Sequence, residues 1–365
     1  MSPSTLRRQI GQLLIAGFDG QQIPVELKAL ARDTGLGGVI LFARNIGEPE
    51  QVAEMCHDAA RLVPDMPLWV SVDQEGGRVA RLKAPFTEWP PMATLGRNGD
   101  PALARRFARA LGSELAAVGI TLDYAPVLDI HTNPKNPVIG DRALAETAAD
   151  VASLGAAIVR GLQTQGVAAC GKHFPGHGDT SADSHFELPL VEHPVERLRQ
   201  VELLPFKAAI EAEVAMIMTA HVLLPALDER RPATLSRPIV TGLLREELAF
   251  GGVILSDDLE MKAVAGEYAV PSAAVLAVEA GCDGVLVCGS DHDIQATTIE
   301  ALIHAVEEER LPLARVEDAL RRQQRAKERF LAAAVRSRPP GAKALRLALG
   351  RDEHRAIADE MARFV

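Results

Sequence analysis

The sequence predicts an α/β protein built as a (β/α)8 TIM-barrel, a single domain with a C-terminal helical extension. Three observations carry that reading. Eight short apolar runs recur along the chain, each bounded by glycine or polar residues. Helical patterns, with apolar residues at i, i+3, i+4 and i+7, lie between most of them. Eight such units over about 290 residues suit a closed parallel barrel, and no G-x-G-x-x-G turn follows the first run to favour a doubly wound sheet.

In chain order the strand candidates are LLIAGF (13–18), GVILF (38–42), LWVSVDQ (68–74), ITLDYAPVLDI (120–130), VAACGKHF (167–174), VAMIMTAHVLL (214–224), GVILSDDL (252–259) and DGVLVCG (283–289). Their mostly apolar character is what strands buried on both faces need. ALARRFARALGSELAAVG (102–119) reads as a helix that stops at glycine, and so does TAADVASLGAAIVRGLQTQG (147–166). VERLRQVELLPFKAAIEA (195–212) has the same period. SRPPGAK (337–343) is linker-like. It divides the chain into a barrel, 1–336, and an amphipathic C-terminal segment, 337–365, too short for a second domain and expected to pack on the barrel.

The chain has 365 residues, 47% hydrophobic and 24% charged, which is ordinary globular composition with ample length for a large core. A net charge of −10, few aromatics and no basic stripe argue against nucleic acid as a partner. No stretch approaches the ~20 apolar residues of a membrane span. The run LLIAGF near the start loosely imitates a signal peptide, but Asp19 follows it with no cleavage-type continuation. Cys56, Cys170, Cys282 and Cys288 form no C-x-x-C pair, and the last three sit in apolar runs, as buried free thiols do. The expectation is a cytoplasmic protein with no membrane partner, a monomer or weak dimer.

In a barrel of this kind chemistry belongs where strands end and loops begin. LWVSVDQEGGRVARL delivers Asp73, Gln74, Glu75, Arg78 and Arg81 there. APVLDIHTNPKNPVIGDR delivers Asp129, His131, Asn133, Asp141 and Arg142. The next three runs deliver Lys172 and His173, then His221, then Asp257 and Asp258. Five consecutive units place charged or imidazole groups on one rim, which predicts a concave polar site. Alternation along a strand turns only one of Asp257 and Asp258 toward the barrel axis. The other is expected to be held by backbone or a neighbouring helix.

KHFPGHGDTSADSH (172–185) concentrates three histidines, two aspartates and a lysine in fourteen residues. A zinc site, a Schiff-base lysine and a general acid are all open on composition. Zinc wants histidines locked on rigid elements, whereas Pro175 and Gly176 prevent a helix between His173 and His177. A Schiff-base lysine wants an apolar pocket, whereas carboxylates near Lys172 would hold it charged. Cations and carboxylates converging on a cleft suit a hydroxyl-rich ligand, a small carbohydrate.

These motifs resemble family 3 glycoside hydrolases, and within them the bacterial β-N-acetylglucosaminidases of peptidoglycan recycling. The resemblance spans residues 10–336 and rests on DQEGGRVARL, APVLDI…NPVIGDR, KHFPGHGDTSADSH and SDDLEM in the family order. It implies Asp257 as nucleophile, His185 as general acid/base and Asp183 as its dyad partner. It implies Asp73, Arg81, Arg142, Lys172 and His173 as ligands of the terminal sugar, and His177 and Asp179 as loop-shaping residues. The activity implied is retaining, exo-acting hydrolysis of terminal β-linked GlcNAc, with GlcNAc–1,6-anhydroMurNAc fragments as substrate and no metal or cofactor. On a loop punctuated by glycine and proline, the dyad is expected to swing over bound sugar. Rival readings are a phosphorylase or broader β-glycosidase of the same family, a Schiff-base aldolase or lyase using Lys172, and a sugar sensor without catalysis.

Overall fold

Eight strands follow one another around a closed barrel. They are β1 (Leu14–Ala16), β2 (Gly38–Leu41), β3 (Trp69–Val72), β4 (Leu122–Asp123), β5 (Ala168–Phe174), β6 (Met216–Thr219), β7 (Val253–Asp258) and β8 (Gly284–Val287). Every neighbouring pair is parallel, and β1 pairs with both β2 and β8. The computed structural model describes residues 3–63, 65–332 and 339–365. The expected (β/α)8 TIM-barrel is therefore the observed architecture.

Alternate residues of the strands fill the interior, among them Ile15, Ile40, Trp69, Cys170, Met216 and Leu255. The others pack against the surrounding helices in a second, larger cluster. Helix Leu313–Phe330 closes the N-terminal end of the barrel. Its Phe330 ring lies 6.4 Å from that of Trp69, whose indole N–H donates to Gln323 Oε1 at 3.0 Å. Lys327 of the same helix is buried and donates to the Gly37 carbonyl at 2.8 Å and to Gln12. This helix plugs the end of the barrel opposite the charged strand ends. All four cysteines are buried free thiols.

Three expected elements differ in extent. The run 120–130 is a strand only at Leu122–Asp123. Pro126 lacks an N–H for the ladder, and beyond it only an isolated bridge joins Val127 to Lys172. The apolar run 214–224 leaves the sheet after Thr219. The helix expected over 195–212 is two helices, Val195–Gln200 and Leu204–Glu211. Val201 is non-helical between them, and Pro205 sits in the first turn of the second, where its missing N–H costs nothing.

The boundary expected at 336–337 falls in 333–338, outside the described residues. Beyond it, helices Ala342–Ala348 and Asp352–Ala362 pack on helix Pro101–Ala117. The join is polar and buried. Glu114 accepts from the Thr87 N–H (2.8 Å) and hydroxyl (2.7 Å), the Gly350 N–H (2.9 Å) and His354 Nδ1 (2.7 Å). Glu114→Ala orphans those donors together and should destabilise the protein by about 2–4 kcal/mol, read from urea unfolding, with Glu114→Gln losing less.

Candidate active site

The loop after β3 brings two carboxylates back over the barrel mouth. Gly76 and Gly77 both have positive φ (113° and 55°), which returns the chain sharply after Glu75. Gln74 staples the loop: its N–H donates to Asp123 Oδ1 (3.0 Å), and its Oε1 accepts from Arg81 N (2.7 Å) and Leu82 N (3.0 Å). Asp73 and Glu75 then face Lys172 from β5. The Lys172 Nζ lies 2.6 Å from Asp73 Oδ1 and 2.6 Å from Glu75 Oε1. Arg142 clamps Glu75 with two bonds, Nε–Oε2 at 2.9 Å and Nη2–Oε1 at 2.8 Å.

Burial pushes the Lys172 ammonium toward neutrality, but Asp73 and Glu75 outweigh it and hold its pKa above the ordinary value. Burial likewise works to raise Glu75, and Lys172 with Arg142 overcomes it, holding the carboxylate well below its usual range. Two carboxylates at 2.6 Å thus favour the charged form of Lys172, which argues against a Schiff-base role. Arg81 approaches Asp73 at 3.8 Å and lines the same cavity, and its buried Nε has no hydrogen-bond partner among the described residues.

The chain leaving β4 places Asp129 under the site, fully buried. Its Oδ2 lies 2.7 Å from His173 Nδ1, and its Oδ1 accepts from the His177 N–H at 2.6 Å. Burial raises Asp129, but His173 and His177 bring it below its ordinary value. An ionised carboxylate can only accept, so His173 Nδ1 donates to Asp129, which fixes the ring and leaves Nε2 for the pocket.

On β7, burial works to raise Asp257, but His221, His173, the Asp258 N–H at 2.8 Å and Lys172 together hold it below the ordinary carboxyl value. Asp258 is held by backbone, as alternation predicts: its Oδ1 accepts from Glu260 N (3.1 Å) and Cys288 N (3.1 Å).

The segment after β5 differs from a freely swinging arm. A Cβ on Gly178 would lie 1.8 Å from the Ile130 carbonyl oxygen, so this glycine permits close packing rather than motion. Thr180 Oγ1 donates its one proton to the His177 carbonyl (3.0 Å), so it accepts from His177 Nδ1–H (2.7 Å). Burial pushes the His177 pKa down, and the neutral ring turns a bare Nε2 to Ser184 Oγ, 3.1 Å away. The Ser184 carbonyl accepts from Ala263 N–H at 3.2 Å. With both His177 nitrogens engaged, neither serves zinc. Asp179 bonds Thr132 (2.9 Å) and His193, a loop-shaping position. Only the tip stands free. The His185 side chain is 60% exposed, with Nδ1 2.7 Å from Asp183 Oδ1, which also accepts the His185 N–H at 2.8 Å.

Asp73, Arg81, Arg142, Lys172, His173, His185 and Asp257 line one cavity of about 300 Å³, and Asp183 stands behind His185. That volume is small for a ligand site and suits one sugar ring. Sequence reasoning places Glu75 and Asp129 on the rim without giving either a role, and it does not name Asp123. Glu75 neutralises both Lys172 and Arg142; Asp129 orients His173 and the loop; Asp123, raised well above its ordinary value chiefly by burial, carries the Gln74 staple. The role of Glu75, two residues past Asp73, is the legible one.

The model of the glycosyl hydrolase family 3 N-terminal domain matches residues 5–326. The chain belongs to this family. A relative from Thiobacillus denitrificans named beta-hexosaminidase is 42% identical over 262 residues, 70% of this chain and 72% of that protein. A family 3 β-N-acetylglucosaminidase from Paenibacillus sp. str. FPU-7 superposes with a TM-score of 0.94 at 42% identity, covering 98% of this chain and 68% of that one. NagZ from Neisseria gonorrhoeae, solved in complex with N-trifluoroacetyl-D-glucosamine, superposes with a TM-score of 0.77 at 31% identity, covering 98% of each chain.

In this family 3 barrel the adjacent carboxyls of β7 are driven apart. Asp257 is lowered, while Asp258 is pushed up to about 7, chiefly by burial, with Glu260 and Asp257 adding to it. A raised folded-state carboxyl favours folding at low pH, and that contribution is lost as pH climbs from near 4 through about 7. Asp258→Asn abolishes the titration. Its stability relative to the native protein should therefore increase between pH 4 and pH 8, on the order of a few kcal/mol, in paired denaturation curves.

Proposed function

We propose that this chain is a retaining exo-β-N-acetylglucosaminidase. It removes terminal non-reducing β-linked GlcNAc through a covalent glycosyl–Asp257 intermediate, with His185 as acid/base and Asp183 as its partner. The chain is a glycoside hydrolase of the β-N-acetylhexosaminidase class, as its family and relatives named beta-hexosaminidase indicate. The observation that supports the finer reading is the cavity itself. An ionised carboxylate, Asp257, sits in the cavity with donors and acceptors already oriented for sugar hydroxyls, and one imidazole–carboxylate pair stands at its mouth.

The chemistry follows from those positions. Asp73, Lys172, Arg142, Arg81 and His173 hold the terminal sugar, the carboxylate accepting from hydroxyls and the cations donating. Asp257 attacks the anomeric carbon while His185 protonates the departing oxygen. Water then attacks the anomeric carbon as His185 takes its proton; the bond to Asp257 breaks, which frees the carboxylate and releases the sugar with retention. An imidazole suits both directions near neutral pH. Asp183, lowered despite partial burial by the His185 N–H and ring, steadies the imidazolium. The substrate we propose is GlcNAc–1,6-anhydroMurNAc from cell-wall turnover, cleaved in the cytoplasm. The cations facing the cavity are already matched to carboxylates, which favours water over phosphate as the second nucleophile.

A chromogenic β-N-acetylglucosaminide tested beside the matching glucoside should release chromophore from the first, at equal rates with and without phosphate. Asp257→Ala should abolish turnover and leave the fold intact, and a fluorinated glycoside should label Asp257. His185→Ala should cost a natural linkage at least about 10²-fold. The activated aryl substrate should lose less, and added azide should restore part of the rate as the β-azide. Equal losses on both substrates without azide rescue would assign the acid/base elsewhere.

Ser184 joins that mechanism through position. Ser184→Ala removes the bond to His177 and should lower kcat on the natural linkage about tenfold, with KM nearly unchanged and a smaller loss on the aryl substrate. A matching loss in His177→Phe that does not add to it in the double variant would identify the shared bond.

A further inference from the structure

Next to the cavity-lining residues His185 and Met261 lies a feature that binding of one terminal sugar does not use. Phe186 directly follows His185 and is 71% exposed, the one exposed Phe, Trp or Tyr among the described residues. Exposing a large aromatic side chain leaves much apolar surface in water, and burial against a ligand recovers it. Lys262 follows Met261, which lines the cavity, and it too is exposed. Its Nζ lies 6.0 Å from the centre of the Phe186 ring, and it makes no salt bridge among the described residues. The hydrogen bond from Ala263 N–H to the Ser184 carbonyl, at 3.2 Å, ties the two loops together beside this pair.

We propose that Phe186 and Lys262 form the binding shelf for the leaving-group sugar, and that they select an aglycone bearing a carboxylate. The inference rests on the reading of His185 as the acid/base. If His185 protonates the departing oxygen, the leaving group must lie against His185 on the side away from Asp257. The next surface outward is then Phe186 and, across the seam of the two loops, Lys262. A pyranose has a face of C–H bonds that packs on an aromatic ring. The ammonium beside that ring answers an anionic substituent on the same sugar. Inside the cavity Lys172 and Arg142 are matched to Asp73 and Glu75, so an acidic group on the second sugar meets its free cation at Lys262. The shelf thus deepens the proposed function, since the muramic sugar of that substrate carries a lactyl carboxylate and a chitin-type disaccharide carries none.

The test compares kcat/KM on three substrates: an aryl β-N-acetylglucosaminide, the neutral disaccharide N,N′-diacetylchitobiose, and GlcNAc–1,6-anhydroMurNAc. The native enzyme should prefer the acidic disaccharide over the neutral one. Lys262→Gln should reduce that acidic-to-neutral ratio about fivefold, the scale of an exposed ion pair, and raising the salt concentration should reduce it in the native enzyme but not in this variant. Phe186→Ala should reduce the disaccharide-to-aryl ratio for both disaccharides about fivefold, with Phe186→Trp retaining it. An acidic-to-neutral ratio near one in the native enzyme, or one unmoved by Lys262→Gln, overturns the shelf while turnover of the aryl substrate leaves the glycosidase reading standing. Absence of aryl turnover in the native enzyme overturns both.

Discussion

The buried ammonium of Lys172, 2.6 Å from both Asp73 and Glu75, is the interaction on which the rest of the site depends. An isolated cation at that depth would cost several kcal/mol and shed its proton. Two carboxylates keep it charged, Arg142 balances the second of them, and the group as a whole is close to neutral. The arrangement demands that the loop after β3, the loop after β4 and the strand β5 meet within hydrogen-bonding distance. It therefore sets the shape of half the barrel mouth, and the packing of Gln74, Gly76 and Gly77 can be understood as what that meeting requires.

A second network does for the loop that bears His185 what the first does for the groups around Lys172. Asp129 fixes the His173 ring and binds the His177 N–H; His177 reaches Ser184; Ser184 also meets the loop after β7. The chain of bonds runs from a carboxylate at the base of the site to the residue between Asp183 and His185. Rigidity and access are thereby separated. Everything from His173 to Thr180 is anchored against the barrel, and the tip beyond it, with His185 and Phe186, reaches solvent. Preorganisation of this kind limits the reorganisation left for the moment of reaction.

The barrel was legible because a strand buried on both faces must be apolar along its length, and eight runs such as GVILF and DGVLVCG leave little else to build. The rim was legible for a related reason: Asp73, Lys172, His221 and Asp257 each end an apolar run, where a parallel barrel opens to ligand. The motif KHFPGHGDTSADSH carried the family resemblance, and the family match extends over residues 5–326. Where the chain departs from simple periodicity, at Pro126 and Pro205, proline ended or restarted elements that apolar pattern alone had run together.

What the sequence by itself determined about this protein is its alternating strand and helix order, the set of charged groups at the strand ends, and the motif that names its family. Which of those groups pair was decided only by the tertiary structure. Glu75 as the partner of both Lys172 and Arg142, Asp129 as the anchor of two histidines, and Gly178 as a point of contact with Ile130 join residues dozens of positions apart. The physical reason is that a carboxylate's charge state and a histidine's tautomer are properties of what lies within a few ångströms, and closure of the barrel sets those neighbours. Local sequence supplies the side chain, and the fold supplies the field around it.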